Sequence, residues 1–178
     1  MESGVCTRLS GLGFCLQAGF HAGERQGAGM ITNAAAVTVF NGRTDKATRR
    51  KIYIPTVIRG VSYMEAKGAA VTNNGVWSEE VQYKIRVPLA ASIQDGREYM
   101  RDLNYAKLDN EEAAKCWTIQ KGDLVVRGEY ASDNPLLCED EVSAYAKEQG
   151  LDLIHVTEYA DNTSGGSPHT RHWRIGGK

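Results

Sequence analysis

The sequence predicts a mainly β (β-rich α+β) fold: a small antiparallel β-barrel or sandwich with two short helices and a long projecting loop. Three observations predict it. Residues 81–87 alternate strictly, with Val81, Tyr83, Ile85 and Val87 apolar and Gln82, Lys84 and Arg86 polar, so a strand there has one greasy and one charged face. Short β-branched and aromatic runs recur between turn residues, with no alternation of strands and long helices. Nineteen glycines stand against four prolines in 178 residues, a balance that suits a loop-rich β protein.

The totals bound the function. A formal net charge of -1 exerts no global pull on nucleic acid or on an anionic membrane. No apolar run approaches a membrane span. The four cysteines, Cys6, Cys15, Cys116 and Cys138, form no CxxC pair and stand apart from the histidines, which favours a reducing compartment over a disulfide framework or a zinc site.

Two segments are expected: an extension, residues 1–29, and a single barrel-like domain, residues 30–178. Residues 1–29 hold seven of the nineteen glycines and two of the four cysteines, and no stretch keeps a period. An apolar centre over residues 9–20 offers a secretory reading, but Gly, Ser and Gln interrupt it and Glu2 spoils its basic start. The other reading begins the native protein at Met30, because Gln26-Gly27-Ala28 can be encoded by a purine-rich ribosome-recruiting run. Either way the extension is expected to be poorly ordered.

In the body, residues 36–40 (AVTVF) are a first strand and Asn41-Gly42 a turn. Residues 43–51 read as a charged loop in which Arg49, Arg50 and Lys51 offer a contact for phosphate or an acidic partner. Residues 51–54 and 57–64 are two strands around Pro55. In the second, Val57, Val61 and Tyr63 share a face and Gly60 marks a bulge. Residues 65–80 form the long connection, with Asn73-Asn74-Gly75 at its tip and Trp77 beside it, as a flap over the core or a contact surface. After the strand at 81–87, Pro88 ends the pairing.

Asp109 and Glu112 form a capping box for a short helix running to about Cys116. Residues 117–129 read as strand, turn and strand around Lys121-Gly122-Asp123, with Asp123 bonding nearby backbone amides. Asn134-Pro135 starts a second helix with Cys138, Val142, Tyr145 and Ala146 on one stripe, ending at Gly150. Residues 151–159 and 172–175 are expected to pair as a hairpin across the loop 161–168.

No motif for serine, metal or phosphate-loop chemistry occurs. Cys116 with His155, His169 or His172 is the cysteine option, but the end of a short helix would raise its thiol pKa. His169 and His172 with His155 or Asp161 make a loose metal set. Lys84, Arg86, Arg127, Arg171 and Arg174 beside Tyr53 or Trp173 could make a basic face for nucleic acid. No catalytic residue, metal or cofactor is assigned, and the expectation is a non-enzyme.

From Met30 onward the sequence resembles an uncharacterised family of small phage and prophage proteins encoded among the capsid, portal and neck genes of tailed phages. The matching pieces are Met30-Ile31-Thr32-Asn33, Val39-Phe40-Asn41, Ile58-Arg59-Gly60-Val61-Ser62 and Tyr83-Lys84-Ile85-Arg86-Val87-Pro88. They continue with Tyr105-Ala106-Lys107-Leu108, the stretch from Trp117 to Asp123 (WTIQKGD), Ser167-Pro168 and the stretch from His172 to Lys178 (HWRIGGK). The layout is also similar to head-completion or stopper proteins, small β-barrels with a long loop that form rings below the portal.

The resemblance implies a virion component of the head–tail junction, made in the host cytoplasm. Its partners would be portal, adaptor or tail proteins, with passing contact with DNA and none with membrane. Asn73, Asn74, Trp77, Arg49, Arg50, Lys51, His172, Trp173 and Arg174 are the candidate partner contacts. A tail or minor capsid component, a small nucleic-acid-binding barrel and a cysteine-dependent enzyme are the alternatives.

Overall fold

The computed structural model describes residues 33–71, 77–132, 134–136 and 138–178, with the backbone alone at 69–71 and 77–79. The expectations for residues 1–29 and for the turn at Asn73-Asn74-Gly75 lie outside the described residues. The strands are β1 (Ala35–Thr44), β2 (Lys51–Val71), β3 (Trp77–Pro88), β4 (Ser92–Ile93), β5 (Glu98–Tyr99), β6 (Cys116–Trp117), β7 (Leu124–Arg127), β8 (Leu153–Asn162) and β9 (His172–Gly177). The helices are α1 (Asp102–Tyr105), α2 (Asn110–Ala113) and α3 (Glu139–Glu148). None of the described helices is long and apolar enough to cross a membrane.

Six strands close an antiparallel barrel in the order β1-β7-β8-β9-β3-β2, with β2 returning to β1. Closure removes the open edges that a flat sheet would leave. Val37, Val39, Ile58, Val61, Ile85, Val87, Trp117, Ile119, Val125, Ile154, Val156 and Ile175 are buried in one cluster that fills it. The strand at 81–87 behaves as its alternation predicts: Tyr83, Ile85 and Val87 are buried, while Gln82 and Lys84 are exposed.

β2 departs from expectation. It is one strand of 21 residues, not two around a break. Pro55 sits opposite Phe40, yet costs no ladder bond. Tyr53 exchanges both backbone hydrogen bonds with Leu136, at 2.8 and 2.9 Å, so its N–H points away from β1. N–H directions repeat every second residue, which puts the missing donor of Pro55 on that same outer edge. There Val57 N donates to the Gln94 side chain at 2.8 Å.

The bulge predicted at Gly60 is present. Gly60 has φ +79, and the register with β1 jumps from Arg59–Ala36 to Val61–Ala35. The extra residue reverses the parity, so Ile58, and not Val57, shares the interior with Val61 and Tyr63. At this bulge β2 also changes neighbours, from β1 to β3. β8 turns a similar corner, pairing with β7 through His155 and with β9 from Val156 on. At that corner the backbones approach closely: a Cβ on Gly177 would lie 2.5 Å from Ile154 Cγ2 and 2.6 Å from the His155 carbonyl oxygen.

Outside the barrel, α3 lays Val142 and Ala146 on Phe40, Tyr53, Leu124 and Val126. It starts at Glu139 after an extended Cys138, not at Asn134-Pro135, because Leu136 is held extended by its bridge to Tyr53. α2 forms where the capping box predicts, with Asp109 Oδ1 accepting from Glu112 N at 2.8 Å. It stops at Ala113, since Cys116–Trp117 pairs with Glu98–Tyr99 as a short parallel strand. α1 is a third helix that residues 99–108 did not predict; it brings Tyr105 under Ile54 and Ala113. The hairpin of β8 and β9 pairs as expected.

Candidate functional site

Beyond the barrel wall, β2 and β3 run on as an arm. β2 and β3 stay paired from Ser62–Arg86 out to Val71–Trp77. β9 leaves β3 at Tyr83 and β1 leaves β2 at Val61. Beyond Glu65–Tyr83, the last pair flanked by β9, the six pairs out to Val71–Trp77 therefore run on as a two-stranded ribbon that reaches about 20 Å further, at about 3.3 Å per residue. The long loop expected over residues 65–80 is thus mostly strand. Within it Glu65, Ala66, Lys67 and Gly68 are exposed, and Lys67 pairs with Glu65 at 3.4 Å. Trp77 opens β3 opposite Val71, at the far end of the arm; Asn73 and Asn74 lie outside the described residues. Two-stranded ribbons are marginal alone and carry two unpaired edges.

The basic candidates lie at the other end of β2. Arg49 and Arg50 are exposed in a tight turn, where Arg49 takes φ 57. Asp45 organises the turn: its carboxylate accepts from Thr48 Oγ1 at 2.5 Å, Ala47 N at 3.1 Å and Asn110 Nδ2 at 2.9 Å. Those bonds, the Thr48 hydroxyl foremost, lower its pKa to about 2. Lys51 is already in β2, with its amine 4.8 Å from the centre of the Tyr53 ring. A 21-residue strand separates this turn from the arm tip, so the two sets form separate surfaces.

The third set, on β9, divides between the two faces of its strand. Trp173 packs against Tyr99 and Trp117, with ring centres 4.8 and 5.2 Å away. Arg174 reaches Glu158 at 3.5 Å, opposite Arg86 on the neighbouring strand. His172 Nδ1 lies 2.7 Å from the Thr170 carbonyl oxygen. Of the aromatics considered for base stacking, Trp173 is engaged with the core and Tyr53 is buried. Arg127 lies over Tyr63, 5.0 Å from the ring centre.

A polar network missed by the sequence reading closes one end of the barrel. Asn41-Gly42 is no turn; both residues continue β1. Asn41 is buried and donates to the Thr118 carbonyl and to Asp123 Oδ2, each at 2.8 Å. Asp123 accepts further from Gly42 N at 2.9 Å, Gln120 N at 3.0 Å and Gln120 Nε2 at 3.2 Å. The expected role of Asp123, bonding nearby amides, holds, with Gly42 as a distant amide as well. Burial pushes its carboxyl up to about 7, against the four donors that pull it down.

Among the described residues, no group acting on the Cys116 thiol lowers its pKa. Burial raises the Cys116 thiol, with Glu98 and Glu112 adding to it, a different cause from the helix end first considered. His155 approaches Glu139 at 3.8 Å. Among the described residues no three His, Cys, Asp or Glu side chains are grouped to hold a metal ion.

A family model described as a family of unknown function, DUF6751, matches residues 31–178. The chain belongs to DUF6751. No curated protein matches it, and no solved structure does. The match spans the whole DUF6751 barrel, the arm and the closing β9 strand.

Proposed function

We propose that this DUF6751 protein is a non-enzymatic structural subunit of a tailed-phage virion, at the head–tail junction. The observation that carries the proposal is the arm: β2 and β3 extend about 20 Å beyond the closed barrel's wall, with the described β2 side chains exposed, Val81 at its base packed on the barrel cluster, and two open edges. A closed barrel satisfies its own strands, whereas a free ribbon gains most from pairing with another chain. Head-to-tail contacts of this kind form a ring when the rotation between neighbours closes. In this reading the arm, with Trp77 at its far end, engages the next subunit or the adjoining ring, and Asn73 and Asn74 are contacts proposed from the sequence. The turn bearing Arg49 and Arg50, with Lys51 at the start of β2, and the β9 face with His172 and Arg174, supply further contacts, while Trp173 steadies that strand from beneath. Portal, adaptor or tail proteins are the partners, in the virion and in the host cytoplasm during assembly.

The test mixes the purified chain with the portal and tail proteins of its genome and examines the products by native mass measurement and negative-stain imaging. A ring, alone or on its partner, is expected. Replacing residues 69–79 by Asn-Gly, which closes the ribbon after the Gly68–Glu80 pair, should leave a folded monomer that no longer assembles. A strict monomer binding none of these proteins would refute the proposal. Salt-sensitive retention on DNA by the monomer would favour the nucleic-acid-binding alternative.

A further inference from the structure

A second feature lies at the end of β1, independent of the arm. Arg43, Thr44, Lys51, Tyr105 and Gln120 line an open cleft of about 320 Å³ together with the Gly42 and Ala106 backbone. Two lining side chains are cations and none is an acid. Arg43 is only 7 % exposed. Its terminal nitrogens donate to the backbone carbonyls of Asp109 at 3.0 Å and Leu108 at 2.5 Å, and its guanidinium lies 5.5 Å from the Tyr105 ring centre.

No carboxylate forms an ion pair with Arg43 among the described residues. The acids nearby in the fold are engaged elsewhere. Asp123 turns its oxygens to Asn41, Gly42 and Gln120, Asp109 caps α2, and Asp45 holds its own turn. Arg43 Nε and the Tyr105 hydroxyl are both buried without a well-formed hydrogen bond, although the two side chains lie close enough to interact with each other. A guanidinium withdrawn from water without a counter-charge is costly, and its planar fork suits carboxylate and phosphate oxygens.

We propose that this cleft binds a small oxyanion, a phosphate or a carboxylate group, between Arg43 and Lys51. The anion supplies the counter-charge that the fold withholds from Arg43. Lys51, exposed at the rim, adds the second cation, and charge-assisted bonds of this kind are the strong ones. The site stands whether or not the arm assembles.

The full chain is titrated with inorganic phosphate and separately with acetate, at ionic strength held constant with sodium chloride. Amide shifts of Gly42, Thr44 and Ala106 are followed, together with the melting temperature. Saturable shifts and a higher melting temperature are expected. Saturation by phosphate alone identifies a phosphate site, and saturation by acetate, with or without phosphate, a carboxylate site. Lys51→Met should weaken binding about tenfold, and Lys51→Arg should restore it. Arg43→Lys, which keeps the charge but not the fork, covers the case in which removing Arg43 unfolds the chain; it too should weaken binding. No response beyond the sodium chloride control, or unchanged affinity in both Lys51→Met and Arg43→Lys, would overturn the site.

Discussion

One strand lives in two environments. From Lys51 to Val61, β2 pairs with β1, and Ile52, Tyr53, Ile54, Thr56, Val57 and Ile58 are all buried. One face looks into the barrel, where Ile58 joins the central cluster and Ile54 meets Tyr105 and Ala113 from the connections that carry α1 and α2; on the other, Tyr53 is covered by α3. From Glu65 to Val71 the same strand has β3 as its one neighbour, and its described side chains are exposed. Gly60 stands between the two regimes, at the bulge where β2 changes partner. Stability therefore belongs to the first half. The second half buries little within its own chain, so its length is explained by what it meets outside.

That contrast can be broken or sharpened by substitution. The largest effect should come from the barrel interior: Trp117→Ala should cost about 3–5 kcal/mol, since Trp117 is 1 % exposed in the central cluster. Urea unfolding measures it, and a loss under about 1 kcal/mol would mean that the interior carries less of the stability than its burial implies. Asp123→Ala comes next. It strands buried donors on Asn41, Gly42 and Gln120, for a loss of about 2–4 kcal/mol.

Asp123 also gives the barrel end a pH dependence. Its carboxyl is raised from 3.8 to about 7 in the folded chain, so the folded state holds this proton more tightly than the unfolded state does. The stability it contributes is complete below the ordinary carboxylate range and is lost as pH rises through about 7. Thermal melts between pH 4 and 8 should show this fall, and Asp123→Asn, which cannot titrate, should remove it.

Smaller effects follow at the edges. Gly60→Val forces a β-branched residue to φ +79 and should cost about 1–2 kcal/mol by urea unfolding. Asp109→Ala removes the α2 cap and should cost about 1 kcal/mol. On the arm, Lys67→Ala breaks an exposed pair and should change unfolding by less than about 0.5 kcal/mol.

Where the physics is local, the sequence was legible. The alternation over 81–87, the capping pair Asp109 and Glu112, the bulge at Gly60, the turn before Asp123 and the closing hairpin each announce themselves within a few residues. Distant partners hid the rest. Asn41-Gly42 looks like a turn until Asp123, 82 residues away, takes the Asn41 side chain and holds it in β1. Pro55 looks like a break until its outer edge is known. Residues 66–70 (AKGAA) have little strand propensity of their own; pairing with β3 makes them strand. Arg43 reads as part of a charged loop, because the carbonyls that bury it come from Leu108 and Asp109.

Amide hydrogen exchange, compared between the isolated chain and its assembled form, tests the division of labour most directly. In the isolated chain the amides of residues 64–71 and 77–82 should exchange quickly while those of Val39, Ile58, Ile85 and Val125 stay protected, and assembly should slow the arm by about a hundredfold or more. Arm amides as protected as the barrel core in the free chain, or unchanged on assembly, would contradict the account.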